Sequence, residues 1–399
     1  MLLLGSGVGA LTVRWDFLLW LLLIGFVGFT TAGFALHLFP TIARRPQPPP
    51  WVAQAAFLLA EGGLVLGAVG LSEATSPPIP GWVFSLGAML FLGGVGTVSG
   101  LFAYGLFQPR VETPGPEARP GDAVTVPLFL ASWASAVSAG GMFVLSGFAE
   151  GPGYGWWLGA VHLFVLGHVI LLITAVSLRL VPRFLGADVS RPLVYLLAGL
   201  AIAGAILVPS GMLATPPLPT GDIVVFAAPE AAFGILFVSM LIILVRRART
   251  RRAEAGLHLM GATFFLVGGA IGLWMVSESN YTLVIAHALV NVLGFVGLMI
   301  LAMWFGMIAP FQRISHAWTR RMLWALSVVW VAGVAAAATA GARGWVGTSW
   351  LAPFSGAILL GVAIAWGVGT VPVLYRGLNP LPGLTSEEIR TIRERWSSR

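Results

Sequence analysis

Long apolar runs alternate along the chain with short segments rich in proline, glycine and arginine. A run of roughly 20 apolar residues crosses a bilayer core of about 30 Å as a helix. On that measure the sequence predicts about eleven spans. They fall near residues 17–39, 51–72, 82–107, 125–148, 155–181, 192–214, 223–246, 257–277, 281–308, 321–341 and 351–374. The breaks include PQPPP at 46–50, SPPIPG at 76–81, TPGPEARPGD at 113–122 and TPPLPTGD at 215–222. Such clusters stop helices and turn the chain. The fold class that follows is all-α: a polytopic transmembrane bundle of about eleven to twelve helices, occupying residues 1–381. Residues 382–399 read as a cytoplasmic amphipathic tail helix, with Thr385 and Glu388 at capping-box spacing. The N-terminal MLLLGSGVGALTVRWD has no basic residue before its apolar run, so it is a poor signal peptide and is expected to lie at the interface.

Composition sharpens this picture. Only 9% of the 399 residues are charged and 58% are hydrophobic, against about 25% charged in an ordinary soluble protein. The absence of cysteine removes disulfides and thiolate metal sites. The net charge of +7 comes from arginines in short loops, which argues for orientation signals and against nucleic-acid binding. The basic loops alternate. Arg44 and Arg45, Arg110 and Arg119, Arg183 and Arg191, RRARTRR at 246–252, and Arg313 to Arg321 follow every other span. The intervening loops carry Glu73, Glu150, Asp222, Glu278 and the single Arg343. Arginine-rich loops belong in the cytoplasm, so the expected topology is N-terminus outside and C-terminus inside, in a prokaryotic inner or plasma membrane.

A rhythm runs through the spans. Gly25 to Pro40, Gly94 to Pro109 and Gly167 to Pro182 are fifteen residues apart, and Gly294 to Pro310 sixteen. Glycine lets helices approach closely and proline ends them. This predicts internal helix-pair repeats.

Ionisable residues inside spans are costly and mark sites or buried polar contacts. His162 and His287 each sit in an apolar span, about 12 Å and about 9 Å from its outer end. Imidazole is a strong ligand for haem iron or copper, and two rings at one depth on different helices could hold one metal. His168 lies six residues beyond His162, about 120° round the helix. It is a candidate for a second centre or a haem contact. Asn291 shares a face with His287 and either orients a ligand or packs helices. His37 and His258, at the cytoplasmic ends of their spans, form a second candidate metal pair if those helices are neighbours. The alternative for both is an interfacial histidine. Glu61 is in the middle of its span and is read as part of a proton route or as a buried hydrogen-bonding group. Glu230 follows Pro229, and the charge-derived topology argues against its pairing with Arg179.

The runs VHLFVLGHVILLITAVSLRLVPRF and AHALVNVLGFVGLMILAMWFGMIAPF resemble the haem-copper oxidase subunit I superfamily, above all its small divergent members such as NnrS-like proteins. The segment carrying His287, Asn291, Leu293, Gly294 and Gly297 is the closest match. The specific part of the resemblance covers about fifty residues; the helix rhythm extends it over most of the chain. The resemblance implies an oxidase-like bundle with pseudo-symmetry, b-type haem with possible copper, and a link to nitric oxide. It places His162 and His287, and less firmly His168, as ligands. The chain departs from the pattern in having no adjacent His-His pair and only six histidines. A proton-pumping oxygen reductase is therefore not expected.

Three functions compete. The first is a haem-binding membrane protein for electron transfer or for handling a small gas such as NO or O2, an oxidoreductase if it is an enzyme. The second is a non-catalytic accessory or assembly subunit that binds another membrane or electron-transfer protein. The third is a proton-coupled transporter with a solvent-accessible cavity at Glu61. The expected partners are haem, membrane lipid and such a protein.

Overall fold

The computed structural model describes residues 19–43, 45–46, 48–71, 81–109, 119–148, 153–213, 220–248, 252–278, 281–303 and 316–342. These residues form ten helices: α1 (21–43), α2 (Pro50–Leu71), α3 (Gly81–Phe107), α4 (Pro120–Phe148), α5 (153–185), α6 (Arg191–Leu213), α7 (Thr220–Arg247), α8 (Arg252–Ser277), α9 (281–303) and α10 (His316–Ala342). Eight of them carry stretches long and apolar enough to cross a membrane. Among the described residues there is no strand. The protein is an all-α, polytopic membrane helical bundle. The eleventh expected span, 351–374, and the tail at 382–399 lie outside the described residues.

Neighbours in sequence pack as neighbours in space: α2 on α3, α3 on α4, α6 on α7 and α7 on α8. Short loops dictate this antiparallel order. The interior belongs to α1, α5 and α9. Nearly three quarters of the apolar stretches 155–185 and 284–303 is buried, far more than in any other span.

Each inner helix contains a π-helical segment: Leu21–Gly28 in α1, Leu163–Ile170 in α5 and Val290–Gly297 in α9. Each segment holds one of the rhythmic glycines, Gly25, Gly167 or Gly294. The fourth, Gly94, lies in the regular helix α3. The recurring unit therefore spans two helix pairs: a π-containing inner helix returns every fourth helix. The glycines have a packing reason. A Cβ on Gly167 would lie 2.6 Å from the Ser135 Cβ of α4, and one on Gly294 2.6 Å from the Phe264 ring of α8. The helix just before α5 and the helix just before α9 thus lie directly against the π segments that follow them.

A π turn shifts the backbone ladder by one residue, and the carbonyls it disturbs need other donors. Side chains add donors to carbonyls of these segments. Ser132 Oγ donates to the His168 carbonyl at 2.9 Å, and Trp330 Nε1 donates to the Leu293 carbonyl at 2.8 Å. In α1, Thr30 and Thr31 donate to the Phe26 and Gly28 carbonyls at 2.6 and 3.0 Å.

The arginine-bearing end is tied by charge. Asp122, in the first turn of α4, accepts two hydrogen bonds from Arg183 of α5, at 2.8 and 2.6 Å, and lies 3.2 Å from Arg179. Its Oδ2 also accepts the Arg119 backbone N–H at 2.9 Å, as a helix cap does. Gly186 then ends α5 in the left-handed region at φ 62°. Arg45 donates to the Gln108 carbonyl, joining the ends of α1 and α3. The Asp122 carboxylate is only about one fifth exposed, so its removal leaves two guanidinium groups facing each other in a partly dry site. Asp122→Ala is expected to cost about 1–3 kcal/mol, read as a lower unfolding midpoint in detergent.

Candidate functional site

His162 closes the first helical segment of α5, immediately before the π turn, and His287 lies on α9 just before its own π turn. The structure brings the two together. Their ring centres are 6.5 Å apart and their planes 24° from parallel. Each ring is held through Nδ1. In His162 this nitrogen donates to the Leu158 carbonyl at 2.9 Å, and in His287 to the Gly268 carbonyl of α8 at 2.8 Å. Among the described residues no group bonds Nε2 of either ring. A neutral imidazole whose N–H is fixed on a carbonyl presents its other nitrogen as a lone pair, and metal-ligating histidines are oriented in this way.

Helix α8 shapes the floor under His287. A Cβ on Gly272 would come within 2.7 Å of His287 Cε1, and a Cβ on Gly268 would run into the Asn291 amide. Asn291 Nδ2 donates to the His287 carbonyl at 2.9 Å and lies 3.4 Å from His287 Nδ1. Asn291 therefore braces the turn that carries His287. Gly268 and Gly272 are one helical turn apart, and this spacing was the available signal for a face built to receive α9. The sequence reading missed both.

His168 is placed differently. It is 1% exposed and satisfied at both nitrogens. Nδ1 meets Ser132 Oγ at 3.0 Å and the Ser132 carbonyl at 3.2 Å, while Nε2 meets Thr31 Oγ1 at 3.1 Å. The ring packs edge-on against Trp133, with centres 4.7 Å apart. His168 thus joins α1, α4 and α5. A small cavity of about 20 Å³ lies beside it, lined by Gly28, Phe91, Trp133 and Phe164. That volume suits one water-sized molecule.

The second expected metal pair, His37 and His258, lies partly outside the described residues. The His258 ring is buried with Nε2 3.3 Å from Met303 Sδ, and the His37 side chain lies outside the described residues. No group of three or more His, Cys, Asp or Glu residues gathers as a metal site among the described residues. Glu61 faces outward from α2 and is exposed, so the expected solvent-accessible cavity around it is not found there. The reason is local: glycines on the opposite face of α2 pack it on α3 and turn Glu61 away. The Glu230 carboxyl oxygens are buried against Gly204 of α6 with no hydrogen-bond partner among the described residues. Arg179 pairs with Asp122 instead.

Removing His168 strips partners from Ser132 and Thr31 and opens the core between three helices. His168→Ala is expected to cost about 2–4 kcal/mol. His162→Ala, which loses a bond only to its own helix, should cost less than half as much. Unfolding midpoints of the two variants in one detergent test this order. Compared with known proteins, the chain matches no family model and no curated protein.

Proposed function

We propose that His162 and His287 are the axial ligand pair of a b-type haem, and that the protein carries electrons within the membrane. The observation that carries this reading is the anchored ring pair: both Nδ1 atoms are held on carbonyls and both Nε2 atoms are free of hydrogen bonds among the described residues. Metal–imidazole bonds are about 2 Å and a ring nitrogen lies about 1 Å from the ring centre, so two rings in line on one ion have centres about 6 Å apart. The 6.5 Å separation is close to that value.

The donor count favours haem over a bare ion. Protein sites for Zn²⁺ or Cu²⁺ draw on three or four ligands, and here two histidines stand without a third His, Cys, Asp or Glu among the described residues. A porphyrin brings four nitrogens of its own and asks the protein only for axial ligands. When bound, haem supplies one-electron chemistry. The chain's own part is to fix both imidazoles, through Leu158 and Gly268. Two histidines fill both axial positions, which favours electron transfer over gas binding. The resemblance of the two histidine-bearing runs to the haem-copper oxidase superfamily supports the same reading.

Purification in mild detergent from haem-replete cells should give a reduced-minus-oxidised spectrum of six-coordinate b-type haem. His162→Ala and His287→Ala should each lower bound haem at least about tenfold, while Asn291→Ala retains most of it. Haem should raise the unfolding midpoint of the parent chain and not of the histidine variants. Carbon monoxide binding to the reduced protein would shift the assignment to gas handling at an open position. A folded, colourless protein would overturn the haem reading and leave the accessory-subunit one.

A further inference from the structure

Three buried tryptophans in the bundle differ in one respect. Trp20 Nε1 donates to the Leu64 carbonyl at 3.0 Å, and Trp330 Nε1 to the Leu293 carbonyl at 2.8 Å. Trp133 is only 2% exposed, and its buried Nε1 has no acceptor among the described residues. Its ring packs against Phe102 and His168, with centres 5.2 and 4.7 Å away. A buried N–H without an acceptor is costly. Trp133 also forms part of the wall of the cavity beside His168, so the cavity is where an acceptor can stand.

The size and chemistry of that cavity narrow the occupant. Its volume of about 20 Å³ exceeds the roughly 10–15 Å³ that one water needs, which leaves room for a molecule of about two heavy atoms. A buried water asks for about two to four polar partners. The lining side chains offer the Trp133 N–H alone. Both nitrogens of His168 are engaged by Ser132 and Thr31, and the other lining residues are glycine, alanine, valine and phenylalanine. With no carboxylate, arginine or lysine among the lining residues, an ion would be served worse still. The cavity also has a way out. Its inner wall from α3, α4 and α5 is buried, whereas Phe29 and Ala32 of α1 and Phe57 and Ala60 of α2 are half-buried. Phe29 and Phe57 stack across this seam with centres 5.9 Å apart. A solute arriving there from a bilayer must be at home in hydrocarbon. From this geometry we infer that the cavity is a binding site for one uncharged diatomic gas molecule, which accepts from the Trp133 N–H and enters between α1 and α2. His168 lies about 9 Å along α5 from His162. The site is therefore separate from the ring pair and independent of any haem.

Dioxygen is a direct probe, because its unpaired electrons speed the relaxation of protons it touches. The readout is the indole N–H resonances of isotopically labelled tryptophan in lipid nanodiscs, assigned with Trp133→Phe, Trp20→Phe and Trp330→Phe. On replacing nitrogen by oxygen, the relaxation of the Trp133 N–H should rise at least about threefold more than that of Trp20 or Trp330. Ala32→Leu and Val98→Ile add bulk at lining positions and should remove this excess while leaving the other two signals unchanged. The variant that melts as the parent does is the one that counts. Equal enhancement at the three N–H groups in the parent protein overturns the proposal. So does an excess that survives in the well-folded filled variant. A magnetisation-transfer peak between the Trp133 N–H and a bound water overturns it as well, by assigning the cavity to water.

Discussion

Inside a bilayer no water stands ready to bond a backbone carbonyl that has lost its partner. That constraint governs the centre of this protein. Three helices interrupt their ladders with a π segment, and in each a side chain donates to a carbonyl of that segment. The donors come from different sources: a threonine on the same helix for α1, Ser132 of α4 for α5, and Trp330 of α10 for α9. The inner helices are therefore held in place by polar contacts of fixed direction, set among apolar packing that has none.

The histidines take their different characters from the same framework. His162 and His287 stand just before their π turns, and a backbone carbonyl accepts from Nδ1 of each. His168 lies inside the turn, where Ser132 and Thr31 close around both of its nitrogens. Six residues separate His162 from His168, yet among the described residues one keeps a free nitrogen and the other is fully engaged. The distinction is made by the neighbouring helices α1 and α4.

The spans were legible in the sequence because bilayer thickness imposes a minimum apolar length, and Pro-rich breaks such as PQPPP mark the loops. The glycine–proline rhythm pointed to the inner helices. It could not show the π turns, two of which take donors from far away in sequence, as Leu293 does from Trp330. The outward facing of Glu61 was hidden for a related reason. Helix α2 is apolar on nearly every side, so hydropathy alone does not separate its lipid face from its packed face. The glycines at 63, 67 and 70 encode that difference, Gly63 and Gly70 through what they touch on α3 and Gly67 through Trp20.

The sources of these donors also set an order of events in synthesis. Chains enter the membrane from the N-terminus, and domains form as they emerge. Ser132 precedes His168, so α5 arrives to find the donor for its turn already inserted. Trp330 follows Leu293, so α9 must wait for α10 before its turn can close. The first five helices can therefore settle as a unit while the ninth is still being made. The ring of His287 reaches its place beside His162 only after α8, which supplies the Gly268 carbonyl, has followed α5.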